Sequence, residues 1–471
     1  MTTKCNTEQL VFQGLGRREV VGRFNGGEIS SDGGGLLLRE VEQRTQILRR
    51  LSRCFIDHRH PARIEHTVES LVKQRVLGIA LGYEDLVDHD ELCRDSVLAM
   101  LSGCTDLTGA GRVRPSDRGK PLAGKSTLNR LELTPGEGGG AARYKKTVAD
   151  FVAMDALLVE VFLESHETVP EEIILDVDAT DDPVHGHQAG RFFHGYYRHY
   201  CYLPLYIFCG EQLLCARLRT ADRDGAAGTV EELACIIERI RVRWPKVRII
   251  VRGDSGFCRE ALMSWCEGQG VEYVLGLAKN PRLKALIAEE LAQAKAGYES
   301  RGVPTRVFKE CRYQTLDSWS CERRVVGKAE HLSKGANPRF IVSSLPSGEY
   351  DARTLYEDLY CARGDMENRI KEQQLALFAD RTSTHELHAN QLRLYFSSFA
   401  YVLMQTLRRL ALQGTVLARA QCDTIRLKLL KVGVQVRISV RKVWLAFAES
   451  YPHTALFRQV LTRLQAIPLR C

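Results

Sequence analysis

Ile173-Ile-Leu-Asp-Val-Asp-Ala-Thr180 is the stretch whose reading decides the fold. Its apolar, β-branched residues predict a strand. Side chains alternate along a strand, so Asp176 and Asp178 share one face. A charge inside a central strand is costly unless it is paired or metal-bound. Tyr202 to Cys209 and Gln212 to Thr220 read as two further strands turning at Gly210. Thr229-Val-Glu-Glu232 predicts a capping box opening a helix with Leu233, Ile236, Ile237 and Ile240 inward, ended before Pro245. Val247 to Arg252 (strand), Phe257 to Glu267 (helix) and Val271 to Leu277 (strand) follow. Strands that pair first and then alternate with helices predict an α/β sheet with an antiparallel start and a parallel end. Asp254, in Arg252-Gly-Asp-Ser-Gly256, falls at a strand end, where such sheets place their sites.

Residues 283–338 break the alternation with short, charged, strand-like pieces (Thr305 to Cys311, Cys321 to Val326) and read as an insertion. Phe340 to Leu345 is again a strand, and Thr354 to Phe378 a long helix. At about 100° per residue, Tyr360, Arg363, Glu367, Lys371 and Gln374 fall within an arc of roughly 80°. Leu355, Leu359, Ala362, Met366 and Ile370 occupy a separate apolar arc. Gly364 costs about 1 kcal/mol against Ala in a regular helix. By pattern alone, an exposed face with Arg363–Glu367 and Glu367–Lys371 pairs accounts for the polar stripe.

The first 165 residues read as mainly helical: Leu36 to Leu51, His66 to Leu81, Thr127 to Leu133 and Tyr144 to Leu163 carry helical spacing, with a Pro135-Gly-Glu-Gly-Gly-Gly140 linker. Leu392 to Leu412 predicts a core helix and Thr424 to Leu445 a basic strand pair. Of 471 residues, 44% are hydrophobic and 26% charged, a globular balance. No run of about 18 residues is free of charge, so no membrane span is expected. The N-terminus lacks a secretion-type apolar stretch, which predicts a cytoplasmic protein. The 15 cysteines include no Cys-x-x-Cys pair, which favours free thiols. From Gln391 to Cys471 the chain has 13 Lys+Arg against 2 Asp+Glu, while the whole chain is +8, so the rest is about −3. A basic tail on a slightly acidic body suggests a polyanionic partner.

The segment Tyr360-Cys-Ala-Arg-Gly-Asp-Met-Glu-Asn-Arg-Ile-Lys-Glu372 resembles the Tyr-x-x-Arg-x-x-x-Glu signature of bacterial insertion-sequence DDE transposases. Leu175-Asp-Val-Asp-Ala-Thr180 with His185-Gly186, Gly195-Tyr-Tyr with Tyr202-Leu-Pro-Leu, Arg252-Gly-Asp-Ser-Gly-Phe257, Asn280-Pro-Arg-Leu283 and Leu427-Lys-Leu-Leu-Lys431 narrow the likeness to the insertion sequence family numbered thirteen-eighty. The resemblance runs along nearly the whole chain in order. It implies a ribonuclease-H-like core with a β-rich insertion between the second and third acids. It further implies a helical DNA-binding region over 1–165, a catalytic core over 166–284 and 340–390, the insertion over 285–339, and a basic DNA-contacting region over 391–471. The implied triad is Asp178, Asp254 and Glu367, which would hold two Mg²⁺, with Mn²⁺ as a substitute. Asp178 is preferred over Asp176 because the family's first acid closely precedes a Thr or Ser, here Thr180. Tyr360, Arg363 and Lys371 match positions that contact DNA near the cut end; a further Lys of the signature is Gln374 here. The implied partners are the terminal repeats and target DNA, with a homodimer on paired ends. A catalytically inactive DNA-binding protein of the same fold is the alternative.

Two other signals are weighed. Gly119-Lys-Pro-Leu-Ala-Gly-Lys-Ser126 matches the phosphate-loop string, which would make Lys125 a nucleotide-binding residue, but that loop needs a preceding buried strand, and Gly111 to Arg118 does not read as one. His185-x-His187 lacks a wider ligand set. Phe192, Phe193, Tyr196, Tyr197, Tyr200 and Tyr202 could stack on bases; for most of them sheet packing is the expected role.

Overall fold

A computed structural model describes residues 9–133 and 146–470. The expected Pro135–Gly140 linker lies outside the described residues; the helix expected from Tyr144 begins only at Phe151, because Thr147–Ala149 is a strand paired with Phe55–Asp57. The chain divides into two units, one of residues 50–60 and 130–405, the other of residues 1–49, 61–129 and 406–471.

The first of these is built on a large mixed sheet, and the protein is an α/β protein. After the paired short strands Phe55–Asp57 and Thr147–Ala149 comes helix α1 (Phe151–Glu164), capped by Asp150, which accepts from the Ala153 N–H at 3.0 Å. Strand β1 (Glu172–Ala179) follows, then three short strands, β2 (Asp182–Pro183), β3 (Phe192–His194) and β4 (His199–Tyr202). Next come β5 (Leu205–Cys209), β6 (Gln212–Arg217), α2 (Thr229–Arg243), β7 (Arg248–Gly253), α3 (Glu260–Gln269) and β8 (Glu272–Leu277). Helix α4 (Ala288–Arg301), β9 (Thr305–Tyr313), β10 (Arg323–Leu332) and β11 (Arg339–Ser343) complete the sheet. Helices α5 (Gly364–Leu377) and α6 (Leu387–Leu407) close the series.

The strand order is β6-β5-β1-β7-β8-β11-β10-β9. Strands β6, β5 and β1 are antiparallel neighbours, β1, β7 and β8 are parallel, and β8, β11, β10 and β9 are antiparallel again. The antiparallel start and the parallel β1–β7–β8 run are as expected; beyond them β11 returns antiparallel against β8. The segment expected to hold only strand-like pieces also forms α4, and its strands extend the same sheet through β10 and β11.

The two faces of the sheet bury different cores. Ile173, Leu175, Val177, Ile249, Val251, Tyr273 and Leu275 pack with Phe162, Leu233, Ile237 and Met263 from α1, α2 and α3. Ile250 and Val274, which point the other way, pack with Leu355, Tyr356 and Leu359. Burial on both faces explains why these strands read as apolar runs.

Two local expectations fail for identifiable reasons. Thr229 is the first residue of α2 rather than its cap; Gly228, at φ 79°, takes the cap position. Glu232 instead accepts from Arg217 at 2.7 Å. The single strand expected from Tyr202 to Cys209 is split into β4 and β5 around Leu203-Pro204, as an imino acid without an N–H dictates.

The other unit joins early and late parts of the chain. Glu28–Ser30 pairs with Val434–Ile438, which pairs with Val443–Phe447. Helices Leu36–Thr45, Val68–Leu81 and Thr454–Gln465 belong here. A hairpin of Leu10–Leu15 and Arg18–Gly22 adds strands to a region read as mainly helical. Part of the expected basic strand pair is helical, over Cys422–Ile425 and Arg426–Leu430. Asp32 is buried there between the Tyr83 hydroxyl and Lys431, each at 2.6 Å. Among the described residues no helix is long and apolar enough to cross a membrane, and all thirteen described cysteines are free thiols.

Candidate functional site

Asp178, Asp254 and Glu367 line one cavity of about 870 Å³. They arrive from three elements: the end of β1, the turn after β7, and the first turns of α5. Strand register explains the first two. Val177 pairs with Gly253 in the parallel β1–β7 ladder, so the next residue on each strand emerges at the same level. Asp254 is then held in its turn by the Gly256 N–H, which donates to Oδ1 at 2.7 Å. Gly276 on β8 makes room for that turn: a Cβ there would stand 2.8 Å from the Ser255 nitrogen and 2.6 Å from the Tyr360 hydroxyl.

One step back along the same face, Asp176 lies in register with Arg252. The guanidinium grips both carboxylate oxygens, the Nη2–Oδ2 bond being 2.8 Å, and its Nη1 donates to the Leu359 carbonyl. Asp176 is thus neutralised inside the protein, with a side chain only 4% exposed.

Asp178 is differently placed. Its Oδ2 is 3.6 Å from Arg363 Nη1, while Arg363 Nη2 is 2.8 Å from Glu367 Oε1. Burial, opposed by Arg363 and reinforced by the like charges of Asp254 and Glu367, leaves the Asp178 carboxyl pushed up to about 7. A crowd of acids held together by one guanidinium is an arrangement in which charge is in short supply on the positive side.

Arg363, Lys371 and Gln374 also line the cavity; Tyr360 is not among its lining residues. The helix geometry gives the reason. Leu355–Tyr360 winds as a π-helix and Cys361–Arg363 as a 3₁₀ turn before α5 begins. An arc drawn at a uniform angle per residue therefore fails between Tyr360 and Arg363, where winding changes. Tyr360 instead packs its ring against Tyr356 at 5.6 Å and sets its hydroxyl toward Gly276.

Among the described residues no three His, Cys, Asp or Glu side chains stand close enough together to hold a metal ion in this conformation. The donor chemistry nevertheless fits a hard divalent cation: three carboxylates converge on one polar cavity, with Arg363 and Lys371 as the cations lining it.

The cavity is also lined by residues without an expected catalytic role: Asp181, His194, Tyr196 and Tyr197. The aromatic cluster from Phe192 to Tyr202 was the available signal. Packing accounts for Tyr202, which is fully buried, but Phe192, Phe193, Tyr196 and Tyr200 are 41%, 57%, 83% and 47% exposed. Alternation put these rings on a ribbon too narrow to have a covering layer. Elsewhere, Lys125 begins a helix and pairs with Asp90 at 2.8 Å; a 3₁₀ turn, Pro115–Asp117, rather than a strand precedes the glycine-rich string. His187 Nδ1 is engaged with Arg191 Nη2 at 2.8 Å.

The mixed sheet thus carries acids at the ends of two adjoining parallel strands and a third on a following helix. The family described as Transposase DDE domain group 1 matches residues 12–469, and the chain belongs to it. It is therefore a transposase by family, of a class that cleaves and joins DNA. Curated proteins include no match to the chain.

Proposed function

We propose that this transposase cuts DNA at the ends of its own insertion sequence and joins the freed 3′-OH to target DNA, using Asp178, Asp254 and Glu367 on a ribonuclease-H-like core. The carrying observation is the convergence of these three acids on one cavity from elements far apart in sequence. The Asp176–Arg252 ion pair supports Asp178 over Asp176 as the first acid, because a carboxylate already neutralised has no free oxygen to offer.

The three acids would hold two Mg²⁺, or Mn²⁺ in their place, which when bound activate a nucleophilic oxygen and stabilise the leaving one. The chain's own residues do the rest. Arg363 releases its fork from the acids to a DNA phosphate, which it can grip in two-bonded fashion. Lys371, on the same helix face, holds a neighbouring phosphate. Tyr360, placed beside Arg363 and close to the Asp254 turn, contacts DNA near the cut end. Water attacks the scissile phosphorus and the P–O3′ bond breaks, leaving the 3′-OH. That hydroxyl attacks a target phosphodiester, displacing its 3′-oxygen. Residues 1–165 serve recognition of the terminal repeats, and the basic 391–471 region adds salt-sensitive phosphate contacts. The working form is a homodimer on paired ends.

The test is cleavage of DNA carrying the element's ends, with and without Mg²⁺. Glu367→Gln should abolish cutting while leaving DNA binding; cutting that survives this change overturns the triad.

A further inference from the structure

We infer that the β3–β4 ribbon is a stacking surface for nucleobases drawn out of the duplex beside the scissile bond. The inference rests on the DNA-cutting reading of the adjoining cavity. Strands β3 and β4 pair antiparallel, Phe193 opposite Tyr200 and His194 opposite His199. Their side chains therefore sort onto two faces. His194 lines the cavity, and Cys201 on β4 is buried. On the outer face Phe193 and Tyr200 meet edge-to-face at 5.7 Å, and the Arg191 guanidinium lies 4.5 Å from the centre of the Tyr200 ring.

The turn between the strands joins the two faces. Tyr196 is 83% exposed, lines the cavity, and sets its ring against Tyr197 at 5.1 Å. Arg198 closes the turn at φ 62°, with its N–H donating to the His194 carbonyl at 2.8 Å. A non-glycine residue in the left-handed region is uncommon and holds the turn in one shape. The ribbon thus runs as a row of rings from the lip of the cavity outward.

Clustered exposed rings signal a binding surface rather than solvated packing. The charge of the segment selects the partner. From His185 to Tyr202 it carries two arginines, Arg191 and Arg198, and no carboxylate; the neighbouring Asp181 is taken up by His199 at 2.8 Å. Rings interleaved with cations fit bases and phosphates together, and stacking tolerates any base. Paired bases inside a duplex do not offer their faces, so the occupant is an unpaired nucleotide at the end being cut.

The experiment measures binding of the full chain to two duplexes bearing the element's end, one fully paired and one with the nucleotides flanking the cut left unpaired. The wild type should prefer the unpaired form by about tenfold, as one stacked base provides. The double variant Phe193→Ala/Tyr196→Ala should lose that preference while binding the paired duplex as before, and Tyr196→Phe should keep it. A 2-aminopurine at the unpaired position should report stacking in the wild type and not in the double variant. Equal binding of the two duplexes by the wild type, or a preference untouched in the double variant, overturns the ribbon's role alone. Failure to bind either duplex overturns the DNA-cutting reading with it.

Discussion

Arg252 and Asp176 stand side by side on neighbouring parallel strands and satisfy each other, with Arg252 also tied to the Leu359 carbonyl. The pair fastens the acid-bearing face of the sheet to the helix that leads to Glu367. Asp176→Asn should therefore destabilise the protein by about 3–5 kcal/mol, as expected when one partner of a buried pair is removed. Asp176→Leu combined with Arg252→Met should recover much of that loss, measured by denaturant unfolding.

Asp178→Asn should behave in the opposite way. It removes a carboxyl that burial and two like charges already disfavour in ionised form, so stability should hold or rise. Cleavage should fall by at least about a hundredfold, because positioned metal ions contribute several kcal/mol. An active Asp178→Asn alongside an inactive but stable Asp176→Asn would reverse the assignment.

Divalent metal should raise the melting temperature of the wild type and not of Glu367→Gln. At a hundred times the dissociation constant the gain is about 2.7 kcal/mol. This readout is independent of DNA cutting and follows from the acids sharing one cavity.

Much of the site was legible because its signals are local. The alternation in Ile173 to Thr180 put two acids on one face, and Asp254 fell at a strand end by the apolar run before it. The ion pair that sets Asp176 apart from Asp178 was not legible, since register with Arg252 is a long-range fact. The return of β11 against β8 was equally invisible, because strand pairing across 60 residues leaves no mark on either strand. That Tyr360 does not line the cavity beside Arg363 was hidden by assuming one winding for the whole helix. The exposure of Phe193 and Tyr196 could not be read because alternation names two faces without saying which is covered.

Acid should weaken the sheet end near α3. Arg323 binds Glu260 at 2.7 Å and Glu267 at 2.7 Å. Burial alone would raise Glu260, but Arg323, Ser264 and Ser320 overcome it and hold the carboxyl down at about 2. Its folded value lies below the unfolded value of about 4.3, so the stabilisation is present above that pH and is lost as pH falls toward 2. The melting temperature should drop through this window, and Arg323→Met should flatten the drop.

Gly276→Ala should cost about 1–3 kcal/mol by overpacking and reduce cleavage by displacing the Asp254 turn. Tyr360→Phe in the same chain should restore part of the stability by removing the nearer obstacle. Thermal melts and cleavage rates on the three variants decide this.

The change of winding between Leu359 and Gly364 acts as a joint in a shaft. Leu355 and Leu359 stay seated against the sheet, while the 14 residues of α5 turn beyond it as one rod. Adding or removing a residue in the joint would swing Glu367, Lys371 and Gln374 around together, disarming the cavity while leaving the hydrophobic seat intact. Chain length at this one spot, more than the identity of its residues, sets the aim of the acid.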